Sequence, residues 1–370
     1  MAHKAYKFRI YPTKEQEDFL VKTFGCVRFV YNKMLAERKE TYEKLKDNMT
    51  LLKKQKLPTP AKYKKEFEWL KEVDSLALAN AQLNLQTAFS NFFSGKAKYP
   101  KFKNRKSKQS YTTNMVNGNI KILDAHIKLP KLTPLRMKQH REIPSHHVIK
   151  SCTISRSATG KYHISILTEY EHNPGKKEIN RVVGLDFAMD GLFVESEKGK
   201  KANYPRFYRQ AEDKLAKEQR KLSKMMNGSS RWKKQRIKVV KLHERVANQR
   251  RNFLHQESRK LVKRYDCVVI EDLDMKGMSK AFRFGKSVAD NGWGMFTTFL
   301  RYKLDEEGKQ LIKIDKWFPS SKTCSACGYV NAALHLSERI FDCDCGFVID
   351  RDWNAAINIK NEGQLMLDLP

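Results

Sequence analysis

Four cysteines fall in two tight pairs, Cys324-x-x-Cys327 and Cys343-x-Cys345, with fifteen residues between the pairs. Thiolates spaced in this way can enclose one Zn²⁺ tetrahedrally, each sulfur about 2.3 Å from the metal; four sulfur ligands leave no open position, so the metal would be structural. The second pair is one residue tighter than Cys-x-x-Cys, and free thiols or a redox role are the alternative. Three acids stand out for another reason. Asp186 lies inside the apolar run 182–187, Glu271 ends the run Cys267-Val268-Val269-Ile270, and Asp352 sits in Asp350-Arg351-Asp352-Trp353-Asn354-Ala355-Ala356. A carboxylate in an apolar strand costs on the order of a few kcal/mol unless it is paired or holds a metal. Three of them from separate segments can bridge two divalent cations roughly 3.5–4 Å apart, one activating water and the other stabilising a leaving 3′ oxygen in phosphodiester cleavage. Hard oxygen ligands favour Mg²⁺ or Mn²⁺ here, not zinc. Taken singly, each acid can equally be a strand-end carboxylate paired with an arginine, and spacing leaves both readings open.

The rest of the chain points to a polyanion. Its 370 residues carry 73 Lys+Arg against 41 Asp+Glu, a formal charge of +32, while 40% of residues are hydrophobic. That apolar fraction excludes disorder and collagen-like or disulfide-stapled scaffolds. So large a surplus opposes compaction unless nucleic acid neutralises it. Residues 96–108 hold Lys96, Lys98, Lys101, Lys103, Arg105, Lys106 and Lys108, no acid, and the aromatics Tyr99 and Phe102, the composition of a phosphate-contacting strip with stacking platforms. A second basic face runs from Arg231 through Arg236, Arg245 and Arg250 to Arg251. Cys26, Cys152 and Cys267 are isolated in apolar contexts, so the seven cysteines indicate a reducing compartment rather than a disulfide framework. No stretch has the apolar length of a signal peptide or a membrane span, so no membrane partner is expected.

Elements able to position these groups are legible in the pattern. Lys7 to Tyr11 reads as a strand, and Thr13 with Gln16 three residues on forms a capping box for the helix that comes next. Helical periodicity runs through Leu20, Val27, Val30 and Leu35 and again over Tyr63 to Phe93, with Leu51 to Pro60 expected as a linker or helix break. Residues 111–171 change to short alternating runs split by Gly118, Pro130, Pro144 and Gly160, a small antiparallel sheet or barrel. The strand at Lys7 has no local partner and should pair there. Beyond Asn173-Pro174-Gly175, a strand around Asp186, helices from Arg206 to Arg264 broken at Asn227-Gly228, a strand ending at Glu271, and a returning strand at Leu311 to Ile314 describe an α/β layer.

The same stretches resemble those of a known family. Tyr6-Lys7-Phe8-Arg9-Ile10-Tyr11-Pro12-Thr13, Gly25-Cys26-Val27-Arg28-Phe29-Val30-Tyr31-Asn32, Val183-Gly184-Leu185-Asp186, Val269-Ile270-Glu271-Asp272-Leu273, Trp317-Phe318-Pro319-Ser320-Ser321-Lys322-Thr323-Cys324 and Asp350-Arg351-Asp352-x-Asn354-Ala355-Ala356 resemble, in order, the motifs of TnpB, the transposon-encoded RNA-guided DNA endonucleases related to type V CRISPR effectors. The resemblance implies an α/β multidomain protein with an RNase H-like RuvC nuclease domain, an inserted zinc knuckle, a helical recognition lobe and a β-barrel wedge domain. The implied boundaries are 1–12 for the wedge strand, 13–110 for the recognition domain, 111–178 for the wedge barrel, 179–317 for the nuclease domain, 318–347 for the zinc-binding target-nucleic-acid-binding insertion, and 348–370 for the third acid and tail. Asp186, Glu271 and Asp352 then take the three acid positions, with Asp350 as the fallback should the register differ. Phe187-Ala188-Met189 and Trp353 depart from many relatives without removing a ligand.

The resemblance further implies a guide RNA made from the transposon end, a short adjacent motif read in duplex DNA, a guide–target heteroduplex and Mg²⁺-dependent cutting of both strands at a single site. The implied state is one protein copy in the RNA complex, in the bacterial cytoplasm and associated with the nucleoid. Motif readers should carry groups that reach base edges. Asn80, Gln82, Asn84 and Gln86 along one helix, with Gln109, Ser110, Tyr111 and Thr112, are the candidates by location. Competing readings are a cleavage-dead RNA-guided repressor, which predicts loss of an acid that is in fact present, a strand-transfer transposase working without RNA, and a structural zinc-bearing RNA-binding protein.

Overall fold

The computed structural model describes residues 1–55, 57–281, 290–335 and 337–368, and the chain divides into two compact units, Met1–His172 and Asn173–Pro370. In the first unit, β1 (Ala2–Tyr11) is followed by α1 (Lys14–Leu45), α2 (Met49–Lys54), α3 (Pro60–Glu66) and α4 (Ser75–Phe93). The strands β2 (Gln109–Asn114), β3 (Lys121–Leu123), β4 (His126–Leu129), β5 (Leu132–Lys138), β6 (Val148–Arg156) and β7 (Tyr162–Tyr170) come next. The capping box forms as the sequence requires: Thr13 Oγ1 accepts from the Gln16 amide at 3.3 Å, and Gln16 Oε1 accepts from the Thr13 amide at 2.9 Å. The stretch expected as a linker or helix break, 51–60, holds the last four residues of α2 and separates that helix from α3. The expected 63–93 helix is broken, because Phe67 and Val73 adopt extended backbone and Asp74 caps a fresh helix through the Leu76 amide.

β1 lies between β7 and β5, in the antiparallel order β2-β6-β7-β1-β5-β4-β3. Its alternation buries Tyr6, Phe8 and Ile10 against one core shared with Leu20, Phe24, Val27 and Tyr31 of α1 and Leu78, Leu85 and Phe89 of α4. The closed barrel is not formed: among the described residues no ladder joins β2 to β3, so the sheet is open. α1 and α4 pack against β2, through Phe24 on Tyr111 and Asn80 on Asn114.

The second unit is built on β8 (Val182–Phe187), β9 (Phe193–Glu195), β10 (Cys267–Glu271) and β11 (Gln310–Ile314) in the order β11-β10-β8-β9, with the first three parallel and β9 antiparallel. Between these strands run α5 (Phe207–Ser223), α6 (Ser230–Arg264), α7 (Met275–Ala281) and α8 (Trp293–Glu306). A hairpin of β12 (Ile340–Asp342) and β13 (Val348–Asp350) leads into α9 (Arg351–Asp368). β10 reads as an unbroken apolar run because both its faces are covered. Val268 and Ile270 pack with Leu254 and Leu261 of α6 and Phe296 and Leu300 of α8, whereas Cys267 and Val269 pack with Ile359 of α9.

Two glycines let α9 approach the sheet. A Cβ at Gly184 would overlap the Ala356 carbonyl oxygen and the Lys360 amide, and one at Gly363 would overlap the Val269 side chain. No helix among the described residues is long and apolar enough to cross a membrane.

Candidate active site and metal centre

Parallel strands end on the same side of a sheet, so β8 and β10 carry Asp186 and Glu271 to one edge. α9, held against β8 at Gly184, carries Asp352 in its first turn, near enough for its charge to act on Asp186. All three carboxyls are half-buried. The Asp186 carboxyl is pushed well above the usual carboxylate range, first by desolvation and then by the charges of Glu271 and Asp352, with Arg351 opposing. Desolvation also raises Glu271, partly offset by Ser320, whose hydroxyl donates to Glu271 Oε1 at 2.6 Å. A desolvated Asp186 carboxyl beside the charges of Glu271 and Asp352 is suited to divalent cations, which would relieve that repulsion.

The two candidates for the third acid differ in their surroundings. Asp350 is exposed and its Oδ1 accepts from the Trp353 amide at 3.0 Å, which occupies it in capping α9. Asp352, and not Asp350, is the neighbour whose charge acts on Asp186. Trp353 fixes the start of the helix: its indole N–H donates to the Ser196 carbonyl at 2.9 Å, and its ring lies where a Cβ on Gly199 would be. Phe187, the other departure after the first acid, packs edge-on against Trp293 with centroids 5.3 Å apart.

The four cysteines also converge. Their sulfurs lie within 4.8 Å of one another, with Cys324 to Cys345 at 3.8 Å and Cys327 to Cys343 at 3.7 Å. Sulfurs at about 2.3 Å from the centre of a tetrahedron are about 3.8 Å apart, so this donor set fits one thiophilic metal ion. Burial raises the Cys324 thiol, yet the Cys327 and Ala326 amides together with the Cys327 and Cys343 thiols outweigh it and lower the group to about 7, whereas Cys327 and Cys343 are held above the ordinary thiol value. The buried amides Asn354 and Asn358, one turn apart on α9, hold the strap between this cluster and Glu271. Asn354 and Ser320 both stand in motifs that carry the family resemblance, yet the sequence gives neither Ser320 nor Asn358 a role, because a serine before a knuckle and an asparagine in a helix have no distinctive spacing.

In the first unit the candidate readers divide. Asn84, Gln109, Ser110, Tyr111 and Thr112 line one cleft of about 70 Å³, into which Arg28 and Lys103 also face. Gln82 and Gln86 line a different recess with Met34 and Arg38, and Asn80 is engaged with the Leu76 carbonyl and Asn114. Tyr111 is 4% exposed and packs on Phe24, so it is wall rather than reader. The Thr112 hydroxyl is shared with Thr153 at 2.8 Å. Lys96, Lys98, Lys101 and Arg105 are exposed. Lys103 is pinned: Asn32 pairs with its backbone N–H and carbonyl at 2.8 Å each, and its ammonium lies 3.8 Å from the centre of the Tyr31 ring, where desolvation lowers its pKa.

Comparison with known proteins identifies the family and the fold. A family model described as "Probable transposase" matches residues 165–281, one described as "Cas12f1-like, TNB domain" matches 293–359, and one described as "Helix-turn-helix domain" matches 1–47, which here fold as β1 and the single helix α1. A "Putative RNA-guided DNA endonuclease" of Streptomyces pristinaespiralis is 37% identical over 364 residues, covering 97% of this chain and 89% of that protein. The "Putative RNA-guided DNA endonuclease InsQ" of Escherichia coli K12 is 30% identical over 380 residues, covering 98% and 93%. The fold is that of the protein chain in a Cas12f1–sgRNA–target DNA complex solved by cryo-EM, with a TM-score of 0.60 at 12% identity and coverage of 98% and 99%. With its motifs, its fold and relatives matched over nearly their full length, the chain belongs to the TnpB family.

Proposed function

We propose that this chain is an RNA-guided DNA endonuclease that hydrolyses phosphodiester bonds at one RuvC-like, RNase H-type site formed by Asp186, Glu271 and Asp352. The observation that carries the reading is that parallel register sets Asp186 of β8 beside Glu271 of β10, and that the desolvated Asp186 carboxyl feels the charges of both Glu271 and Asp352. The fit of these residues to Mg²⁺ or Mn²⁺ rests on that repulsion; when bound, the cations supply an activated water and charge stabilisation for the leaving 3′ oxygen. The chain's own part is positional. β8 and β10 fix two carboxylates in parallel register, α9 sets the third, Ser320 orients Glu271, and Arg351 offsets some of the negative charge on Asp186. Zn²⁺ in the Cys324, Cys327, Cys343 and Cys345 cluster would be structural, since all four positions are taken by sulfur.

The partners are inferred from charge and family. A surplus of +32 suits a structured guide RNA and a duplex target, with sequence read by base pairing and the cleft at Asn84, Gln109 and Arg28 reading a short adjacent motif. Retention of all three acids argues against a cleavage-dead repressor. The test is to sequence the RNA that copurifies with the chain, then offer the complex plasmids with a randomised flank and Mg²⁺. Cutting beside one motif, lost on ribonuclease treatment, supports the reading; a complex inert on every flank contradicts it.

A further inference from the structure

We propose that Ser320 is a positioning residue for Glu271, anchored by Asn358, so that the four-cysteine module and the carboxylate cluster are held as one unit. The inference rests on the reading of Glu271 as a metal-holding carboxylate. Ser320 is 6% exposed, and its hydroxyl donates to Glu271 Oε1 at 2.6 Å. A short bond to a charged acceptor fixes the plane of the carboxylate and leaves the other oxygen to face a cation. Ser320 is itself fixed, because its carbonyl accepts from Asn358 Nδ2 at 2.8 Å. The same nitrogen reaches the Thr323 carbonyl at 2.6 Å, and Asn354 Nδ2 donates to that carbonyl at 2.7 Å. Asn354 Oδ1 accepts from the Ser325 amide at 3.0 Å, inside the first cysteine knuckle.

Asn354 and Asn358 are 0% and 5% exposed. Buried amides are retained at a cost unless their hydrogen bonds are made, and here those bonds go to a strap of six residues, 320–325. The helix that supplies them also presents Asp352 in its first turn. Glu271 on β10 and Asp352 on α9 are therefore connected through Ser320 and Asn358, and the knuckle is connected to both through Thr323 and Ser325.

The test uses the full chain loaded with its RNA, with Mn²⁺ as the probe, and reads the half-saturating Mn²⁺ concentration by the loss of the free-ion electron paramagnetic resonance signal. For Ser320→Ala the expected result is a rise of about 10- to 100-fold with guided DNA affinity and zinc content unchanged, as for removal of a partner that orients a metal ligand. Ser320→Thr, which keeps the hydroxyl, should restore most of the loss, a recovery that a packing role would not produce. Asn358→Ala should raise the Mn²⁺ requirement in the same direction. Wild-type Mn²⁺ binding by Ser320→Ala, beside lost binding in Glu271→Ala, overturns this proposal and leaves the carboxylate site standing. Wild-type Mn²⁺ binding and cutting by Glu271→Ala overturns the site itself. Failure of the threonine variant to recover, at an unchanged melting temperature, also rejects the positioning role.

Discussion

Gly184→Ala is the smallest change that should separate the third acid from the first. A Cβ there would lie 2.5 Å from the Lys360 amide nitrogen and 2.9 Å from Lys360 Cβ, against the 3.4 Å at which ordinary contact begins. Most of the obstruction is helix backbone, which has no rotamer to change, so α9 must shift by up to about 1 Å. Gly184 does not have a positive φ, so the effect is steric and not a backbone penalty. Overpacking of this kind costs about 1–3 kcal/mol. For a unit of this size each kcal/mol lowers Tm by about 2–4 °C. Because Asp352 rides on the shifted helix, a displacement of about 1 Å should lower the cleavage rate about 100-fold. Single-turnover cleavage of a guide-matched duplex, with guided binding and melting measured on the same preparation, is the assay. Full-rate cutting at an unchanged Tm would refute the argument that close packing at Gly184 sets the third carboxylate.

Cys324→Ser should take bound zinc, measured by mass spectrometry of the metal, from about one equivalent toward none while Mg²⁺-free RNA binding persists. Asp186→Asn should stabilise the metal-free protein near neutral pH. The native carboxyl has a folded pKa above its unfolded value, so the folded state binds the extra proton, and stability is lost as pH rises through that folded pKa. The Tm gain over wild type should therefore shrink in mild acid and reverse in Mg²⁺, as seen by differential scanning fluorimetry. In the first unit, Asn84→Ala should weaken binding to the adjacent motif by about 1–3 kcal/mol, while Gln82→Ala, which lines the other recess, should leave it unchanged in a competition assay against flank variants.

Much of the positioning frame was legible because its signals are local. Thr13 and Gln16 announce a capped helix by type and spacing. The runs ending at Phe187 and Glu271 are apolar on both faces, which marks parallel strands covered by helices on each side. The cysteines declare themselves in the same way. Closure of the first sheet was not legible, since alternation specifies strands but not whether the first meets the last. β9, three residues long, is too short for a period to register. Ser320 was hidden for another reason: its partner is 49 residues distant, and nothing in a serine's type announces a carboxylate acceptor. The division of the glutamines and asparagines on α4 follows from helix spacing: Asn80 and Asn84, four apart, share a face, and positions two apart point elsewhere, which separates Asn84 from Gln82 and Gln86.

The most direct test of the central claim compares Asp352→Ala with Asp350→Ala in the RNA-loaded protein, using single-turnover cleavage of guide-matched duplex in Mg²⁺. Asp352 acts on Asp186 electrostatically, whereas Asp350 caps α9 through the Trp353 amide. The expected result is no cutting by Asp352→Ala with guided binding intact, and sustained cutting by Asp350→Ala with a stability loss of about 1 kcal/mol from the missing cap. Cutting by Asp352→Ala at the wild-type rate, or its loss only in Asp350→Ala, would contradict the assignment of the carboxylate site.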